Sequence, residues 1–246
     1  MKSVLKNLVY FILSIFNLEG AVILMYHSVG DNSELATVKL KNFKKQLDFF
    51  KKNKFNIIKL SDLAKLIDKK EEISPRTVCL TFDDGYRDNY TNVFPLLKKY
   101  NFPAIIFMST ALIEKTLFPK KAGEFKFLSE AEIKEMSLSG LIEFGSHSHN
   151  HVKLSNIDKN EIIKELNASK EILEKIIGKK VESLSYPSGR YNEKSESIAR
   201  KIFKIICTVE PGRTTAKDKS WRLKRNSIDS DVSFIQFKGI IKFGRI

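Results

Sequence analysis

Short apolar runs alternate with amphipathic segments from residue 21 to the end of the chain. The runs are rich in β-branched and aromatic residues, which favours buried strands, and the segments between them carry apolar residues at helical spacing. A strand followed by a helix, repeated some seven or eight times, predicts a parallel sheet. At a length of 246 residues, we expect this sheet to close into a barrel. We predict strands at residues 21–26, 55–60, 77–82, 103–108, 142–145, 181–186, 204–209 and 221–228, and helices at 43–50, 61–67, 93–100, 129–138, 159–177, 192–203 and from 232.

Three local features refine this pattern. Ser129 and Glu132 have the spacing of a capping box, which predicts the start of a helix at that point. Gly178 is expected to end the longest helix. The stretch 114–127 is polar and irregular, so we expect a surface loop close to a functional site.

The amino terminus, residues 1–20, is predicted to be separate from a catalytic barrel at residues 21–246. Lys2 and Lys6 precede an apolar stretch of about twelve residues, which is shorter than the roughly 20 needed to cross a bilayer. The segment resembles a secretory signal, but no small-x-small cleavage site precedes residue 21. A peripheral membrane anchor and a helix packed on the core remain open as alternatives. We favour a cell-envelope or membrane-associated location over free cytoplasm.

Composition and charge exclude several classes of protein. Hydrophobic residues make up 42% of the chain and aromatic residues 11%, so global disorder is excluded. The formal net charge is +14, but basic residues are spread among acidic ones, and neither an arginine-rich run nor an aromatic RNA-binding signature is present. We therefore predict no nucleic-acid partner. Cys79 and Cys207 lie in strand-like runs, which predicts two buried thiols and no disulfide scaffold.

The string Thr81-Phe82-Asp83-Asp84-Gly85 ends a predicted buried strand. In a parallel barrel, the carboxyl ends of the strands build the functional site. Two adjacent acids followed by glycine also occur in plain turns and helix caps. Here the carboxylates follow a buried strand, where charges are costly unless they bind something, so we favour a functional role for Asp83 and Asp84.

A cluster of histidines ends another predicted strand. His147, His149 and His151 are three of the four histidines in the chain. The spacing of His147 and His151 would bring two imidazoles to one side of a helical turn. With one carboxylate from the Asp-Asp string, they would form a three-ligand metal site with positions open for water and substrate, which is the catalytic type. A surface histidine cluster is the alternative, and His149 is expected to point elsewhere.

A third string, from Ser185 to Arg190, closes the strand predicted at 181–186. Pro187 and Gly189 would set a tight loop around Ser188, whose amides can point at a bound group. Turns of this composition are common, so this string indicates a functional site only in combination with the other two strings.

These three strings, in this order, resemble the NodB-homology polysaccharide deacetylases (carbohydrate esterase family 4) over nearly the whole chain. The resemblance implies a distorted (β/α)7 barrel and a divalent metal, with zinc as the expected ion, held by Asp84, His147 and His151. It also implies that Asp83 is the general base that takes a proton from the attacking water. The backbone N–H of Ser188 would help to bind the oxyanion.

Two departures from the family pattern concern an arginine and a histidine. Family members commonly carry an arginine, two residues before the loop proline, that fixes the base aspartate. Ser185 stands at that position, and Arg225 is expected to replace the arginine from a neighbouring strand or to be an exposed ion-pairing residue. The late L-x-x-H motif, whose histidine normally protonates the leaving amine, is missing.

The stretch from Leu24 to His27 is itself an L-x-x-H at the end of the first predicted strand. Because the first and last strands of a barrel are neighbours, a strand missing at one terminus can be supplied from the other. We therefore predict that the last motif of the family stands first here, a circular permutation, with His27 as the catalytic acid. The alternative is a tyrosine–histidine pair that only hydrogen-bonds a loop.

The sequence therefore predicts a metal-dependent hydrolase that removes N-acetyl groups from amino sugars of a bacterial cell-surface polysaccharide. Its partner would be an N-acetylated poly- or oligosaccharide. Two alternatives are a metal-dependent amidohydrolase acting on a small non-sugar amide and a catalytically inactive glycan-binding barrel. The presence of all three metal ligands and the base argues against the inactive barrel.

Overall fold

The computed structural model describes residues 19–31, 36–117 and 124–244. The predicted anchor or signal-like segment, up to residue 18, lies outside the described residues. Within the described ranges, no helix has both the length and the apolar character needed to cross a membrane.

Strands and helices alternate along most of the described chain. The strands are β1 (Val22–Tyr26), β2 (Ser28–Val29), β3 (Thr37–Val38), β4 (Asn56–Ile57), β5 (Thr77–Phe82), β6 (Ala104–Met108), β7 (Thr116–Leu117), β8 (Phe125–Lys126), β9 (Ile142–Ser146), β10 (Ser183–Ser185), β11 (Ile205–Cys207) and β12 (Asn226–Ser227). The α-helices are α1 (Leu40–Lys52), α2 (Leu60–Asp68), α3 (Phe94–Tyr100), α4 (Glu130–Leu138), α5 (Lys159–Ile177), α6 (Glu193–Ile202) and α7 (Phe234–Phe243).

The main sheet is parallel and curls into a barrel. Its strand order is β11-β10-β9-β6-β5-β1-β12, with β4 beside the first residues of β5. Leu223, just before β12, pairs with Cys207 of β11, and its carbonyl accepts a hydrogen bond from the Thr208 N–H at 2.8 Å. Because β12 also pairs with β1, the chain around residues 223–227 joins the two edges of the sheet. The result is the predicted distorted (β/α)7 barrel.

Side chains of the barrel strands alternate between two apolar clusters, as the period of a strand requires. On β1, Leu24 packs into the outer cluster between sheet and helices, whereas Ile23 packs into the inner cluster. Leu63 and Ile67 of α2 also pack into the inner cluster, so this helix covers the barrel at the amino ends of its strands. The opposite, carboxyl ends are left for polar groups.

Most predicted elements are observed. Helix α5 has the predicted bounds and ends at Gly178, which has φ 65°, and the capping box of Ser129 and Glu132 starts α4. The helix predicted at 61–67 is α2, which begins at Leu60, and the backbone N–H and hydroxyl of Ser61 donate to the carboxylate of Glu143 on β9.

The stretch 114–127 also differs from the predicted surface loop. Its described part forms the antiparallel pair of β7 and β8, and Phe125 and Phe127 are buried. Both cysteines, Cys79 and Cys207, are buried free thiols, as predicted.

Candidate active site

A cavity of about 360 Å³ lies at the carboxyl ends of the barrel strands. The sequence-predicted residues that line it are His27, Asp83, Asp84, His147, His151, Ser188 and Gly189. Pro187 is buried in the turn behind the wall, and Arg225 is buried beneath Asp83. The structure therefore brings together residues from four separate strand ends.

The two acids that follow β5, Asp83 and Asp84, lie in a sharp turn of the chain. Asp84 has φ 72° and Gly85 has φ 80°, so the chain turns sharply directly after Asp83. The positive φ of Gly85 favours glycine, and a Cβ there would also lie 2.3 Å from Sδ of Met108. The backbone N–H of Asp83 donates to Tyr26 O at 2.9 Å, and this bond fixes the turn against the end of β1.

The two histidines of the cluster meet through a loop. The prediction of a helical turn was wrong, because the chain is not helical between His147 and His151. Ser148 has φ 61° and His151 has φ 54°, and these left-handed residues bend the loop back on itself. The ring centroids lie 5.0 Å apart. The ring of His149 is directed away, with Nδ1 2.8 Å from Oγ1 of Thr110.

Asp84, His147 and His151 converge on one point. Oδ1 of Asp84 lies 3.4 Å from Nε2 of His147 and 3.3 Å from Nε2 of His151, and one ligand atom from each residue lies within 4.8 Å of the others. Asp84 Oδ1 is buried and accepts no hydrogen bond from the described residues. An orphaned carboxylate oxygen between two imidazole nitrogens fits a divalent cation.

The orientation of His147 supports the same interpretation. Its Nδ1 lies 2.8 Å from the carbonyl oxygen of Ser185, an acceptor that places the ring proton on Nδ1 and leaves the Nε2 lone pair facing Asp84. Burial lowers the pKa of His147, which favours the neutral, ligating form. For Asp84, burial acts to raise the pKa, but the imidazoles of His151 and His147 outweigh it and hold the carboxyl ionised.

Asp83 is held by a buried arginine. Nη1 of Arg225 donates to Oδ1 of Asp83 at 2.7 Å, and Nη2 donates to Oδ2 at 2.8 Å, which is the bidentate geometry of a strong ion pair. Arg225 is 1% exposed, so the alternative of an exposed ion-pairing residue is wrong. Its Nε donates to Thr208 O at 3.0 Å, and Nη1 also donates to Oγ1 of Thr81 at 3.1 Å.

Ser185 is a small residue that hydrogen-bonds both members of this ion pair. Its hydroxyl accepts from Nη2 of Arg225 at 2.6 Å and donates to Oδ2 of Asp83 at 3.2 Å. A small residue at this point of β10 thus lets the guanidinium of Arg225, the residue before β12, reach the Asp83 carboxylate. Burial alone would raise the pKa of Asp83, but Arg225 and the neighbouring His147 hold it well below its usual range.

His27 ends β1 on the wall of the cavity. Its Nδ1 is buried and has no hydrogen-bond partner among the described residues. The carbonyl of His27 accepts from Nδ2 of Asn89 at 2.9 Å, and Oδ1 of the adjacent Asp88 accepts from the Val29 N–H at 3.2 Å. The backbone on both sides of the imidazole is therefore fixed, while the ring faces the cavity.

Sequence reasoning missed Asp88 and Asn89. They begin a π-helical turn, Asn89–Val93, before α3, and such turns are frequent at functional sites. Burial raises the pKa of Asp88 to about 6. The sequence offered one signal, an acid and an amide a few residues after the Asp-Asp-Gly turn, but the same residues are common on exposed helix starts.

The third string forms the tight turn that was predicted. Ser188 has φ 54° and Gly189 has φ 63°, and a Cβ at Gly189 would lie 2.3 Å from Cγ2 of Val209. The N–H groups of Gly189 and Arg190 donate back to Tyr186 O and to the proline carbonyl, at 2.9 and 3.1 Å. Ser188, which directly precedes Gly189 in this turn, lies at the cavity wall.

Fold and site together define a (β/α)7-barrel protein with a candidate catalytic metal centre and an arginine-held aspartate beside it. The polysaccharide deacetylase family model matches residues 70–202, which include the Asp-Asp, histidine and proline-loop strings. The chain belongs to the polysaccharide deacetylase family, and the family prediction is confirmed.

Relatives along most of the chain support this assignment. YxkH of Bacillus subtilis (strain 168), whose name assigns it to the polysaccharide deacetylases, is 30% identical over 221 residues, covering 89% of this chain and 75% of the relative. The poly-beta-1,6-N-acetyl-D-glucosamine N-deacetylase of Staphylococcus aureus (strain MRSA252) is 28% identical over 215 residues, covering 84% and 71%. The structure of the Streptococcus pyogenes deacetylase PplD in complex with acetate matches with a TM-score of 0.77 and 27% identity, covering 90% and 98%.

Proposed function

We propose that this protein is a metal-dependent hydrolase that removes N-acetyl groups from amino sugars of a bacterial cell-surface polysaccharide. The observation that carries the proposal is the convergence of Asp84, His147 and His151 on one point beside the arginine-held Asp83. The Staphylococcus relative, named for its action on an N-acetylglucosamine polymer, supports the substrate class.

Asp84, His147 and His151 would hold the metal through one oxygen and two nitrogen atoms. Three such protein ligands are typical of catalytic zinc, and we propose Zn²⁺ as the ion. When bound, a divalent metal would acidify water and polarise the acetyl carbonyl. The remaining chemistry belongs to side chains and amides of the chain itself.

Asp83 is the proposed general base, and its hydrogen bonds indicate which oxygen acts. Oδ2 accepts from both Arg225 and Ser185, whereas Oδ1 accepts from Arg225 alone among the described side chains. Oδ1 therefore keeps a free lone pair for the proton of the attacking water. The ion pair keeps the carboxylate ionised, and therefore able to accept a proton, and fixes its direction.

Two further groups act on the amide that is cleaved. The Ser188 N–H at the cavity wall would donate to the oxyanion of the tetrahedral intermediate, an effect of about 3 kcal/mol in comparable sites. His27 would protonate the leaving amine, because its ring lines the same cavity and its Nδ1 is unpartnered in the described structure. The order of motifs would then be circularly permuted, as the sequence predicts.

The proposal is tested by acetate release from N-acetylglucosamine oligomers, with elemental analysis of the same preparation. We expect about one equivalent of divalent metal and release of acetate that stops when the metal is chelated and returns with Zn²⁺. A higher kcat/KM for a small non-sugar amide would favour the amidohydrolase alternative. Bound metal without any acetate release would favour the inactive glycan-binding barrel.

We also propose a location in the cell envelope or at its membrane. The support is the basic and apolar composition of residues 1–18, which lie outside the described structure. Deleting residues 1–18 should release the protein from membranes and leave kcat/KM within about twofold. If the shortened chain fails to fold, the segment packs on the barrel and the anchor is wrong.

A further inference from the structure

The loop that carries His147 and His151 has a backbone conformation that its own residues do not favour. Ser148 and His151 both have positive φ angles, and neither is a glycine. Residues with a Cβ incur a steric cost in this conformation, and they keep it only where the surrounding structure holds them. The contacts that hold this loop therefore help to bring the two imidazoles together.

The carbonyl groups of the loop are bound by the segment that follows β6. The Thr110 N–H donates to Ser148 O at 3.3 Å, and the Ala111 N–H donates to His149 O at 2.9 Å. Both donors are main-chain groups, which a side-chain substitution does not remove. This side of the loop is therefore held by the fold itself.

The N–H groups of the loop are bound mainly by one carboxylate. Glu165 lies on α5, and its Oε2 accepts from the His149 N–H at 3.0 Å and from the Asn150 N–H at 2.8 Å. Its Oε1 accepts from Nδ2 of Asn150 at 2.6 Å. Hydrogen bonds to a carboxylate are charge-assisted, and they are about twice as strong as neutral ones. One side chain thus holds two of the three residues between the histidine ligands.

Ser169 extends the same contact from one turn further along α5. Its Oγ lies 2.5 Å from Oγ of Ser146, and Oγ of Ser146 accepts from the Ser148 N–H at 3.1 Å. Residues 165 and 169 are four apart on the helix, so they lie on the same face. The N–H groups of three consecutive loop residues are therefore held, directly or through one hydroxyl, by a single face of α5.

We infer that Glu165 is a positioning residue of the candidate metal centre, because it holds the bend that brings the two histidine ligands to Asp84. The inference rests on the metal site of the proposed function and extends it to a residue that does not line the cavity. Nδ1 of His147 is bound separately by Ser185 O, so Glu165 acts through the backbone of the loop. Substitution of groups that orient metal ligands commonly weakens metal binding by about 10–100-fold.

The test measures metal affinity in the absence of substrate. Glu165→Ala removes all three hydrogen bonds, and the dissociation constant for Zn²⁺, measured by competition with a chromophoric chelator, should rise about tenfold to 100-fold. Glu165→Gln is nearly isosteric and keeps an oxygen that can accept from the two backbone N–H groups. It should recover part of the affinity, with a dissociation constant about threefold to tenfold above that of the wild type.

Glu171→Ala is the matched control, because it removes an exposed carboxylate from the same helix. Its dissociation constant for Zn²⁺ should stay within about twofold of the wild-type value. A wild-type affinity in both Glu165 variants, or an equal loss of affinity in Glu171→Ala, would overturn the inference.

Amide hydrogen exchange in the metal-free protein separates positioning of the loop from general stabilisation. In Glu165→Ala, the amides of His149 and Asn150 should exchange at least about tenfold faster, while the protection of β5 and β6 stays unchanged. A uniform loss of protection across the barrel would show a merely structural role, and unchanged exchange of the two amides would show that the carboxylate does not hold the loop. This measurement needs neither bound metal nor turnover. If the wild-type protein bound no metal, the proposed function would fail, and the exchange rates would still decide whether Glu165 positions the loop.

Discussion

The two ends of the barrel interior treat buried polar groups in opposite ways. At the amino end, covered by α2, the interior is apolar, and the carboxylate of Glu143 on β9 accepts hydrogen bonds from both the N–H and the hydroxyl of Ser61. At the carboxyl end, Asp84 Oδ1 and His27 Nδ1 are buried without partners among the described residues. The carboxylate of Glu143 is thus hydrogen-bonded, whereas a carboxylate oxygen and an imidazole nitrogen at the carboxyl end are not.

This difference concerns the free-energy cost of burying a polar atom without a hydrogen-bond partner. A buried polar atom without a hydrogen bond costs on the order of 1–3 kcal/mol, so a folded protein keeps few of them. The Arg225–Asp83 pair is buried but fully bonded. Buried atoms without a partner also occur elsewhere in the described chain, as at Thr214, but Asp84 and His27 line the cavity, where a metal ion and a substrate could supply the missing contacts.

The largest effect is expected for the candidate metal ligands at the carboxyl end. His147→Ala should abolish metal binding and lower kcat/KM by roughly 10³-fold or more, because the metal's contribution of several kcal/mol is lost. His149→Ala is the matched control, since its ring points to Thr110, and it should keep both. Full metal content in His147→Ala, measured by elemental analysis, would remove this residue from the site.

A large effect on rate alone is expected for the base. Asp83→Asn is nearly isosteric but cannot accept the proton, so kcat should fall by roughly 10²-fold or more while metal stays bound. The change also leaves Arg225 buried without its charge partner, which is costly. The double variant Asp83→Asn/Arg225→Met removes that charge and serves as the folding control. Loss of metal from a folded Asp83→Asn protein would show that Asp83 and Asp84 exchange roles.

A smaller effect is expected for the unpartnered imidazole. His27→Ala should leave metal binding intact and lower kcat by roughly tenfold or more, because its ring lines the cavity and is proposed to protonate the leaving amine. His27→Gln, which preserves size without an imidazole, should behave alike. An unchanged kcat in both variants would leave only a loop-bonding role for this histidine.

The comparison also explains what the sequence could predict. Strand ends carrying Asp-Asp and the histidines were predictable, because charged groups after buried strands are costly without a function. The bent loop between His147 and His151 was not, because its left-handed residue, Ser148, has no glycine signature. The spacing of four residues predicted a helical turn, but the positive φ angles of Ser148 and His151 give a bent loop instead.

Long-range contacts were the least predictable part. Arg225 meets Asp83 only because the barrel closes through residues 223–227, and the sequence left an exposed arginine as an alternative. Asp88 and Phe125 lie in stretches of polar composition, yet Asp88 is partly buried and accepts a hydrogen bond from the backbone just after His27, and Phe125 is buried. Burial of such residues is set by tertiary pairing and not by local pattern.

The smallest effect is expected at the amino end, where the comparison predicts a structural role only. Burial raises the pKa of Glu143 above its value in the unfolded chain, so the folded state binds this proton more tightly. Its contribution to the free energy of unfolding is therefore largest at low pH and is lost as pH rises through the raised pKa.

Glu143→Gln removes the titrating group but can still accept from the Ser61 N–H and donate to its hydroxyl oxygen. It should raise the free energy of unfolding at pH 8 by up to about 1 kcal/mol, change it less at pH 5, and leave kcat/KM within about twofold. Thermal unfolding at both pH values, with Glu171→Gln at an exposed position of α5 as a control for removal of a carboxylate, measures this. A loss of activity in Glu143→Gln would mean that the two ends of the barrel are coupled, and the contrast between them would fail.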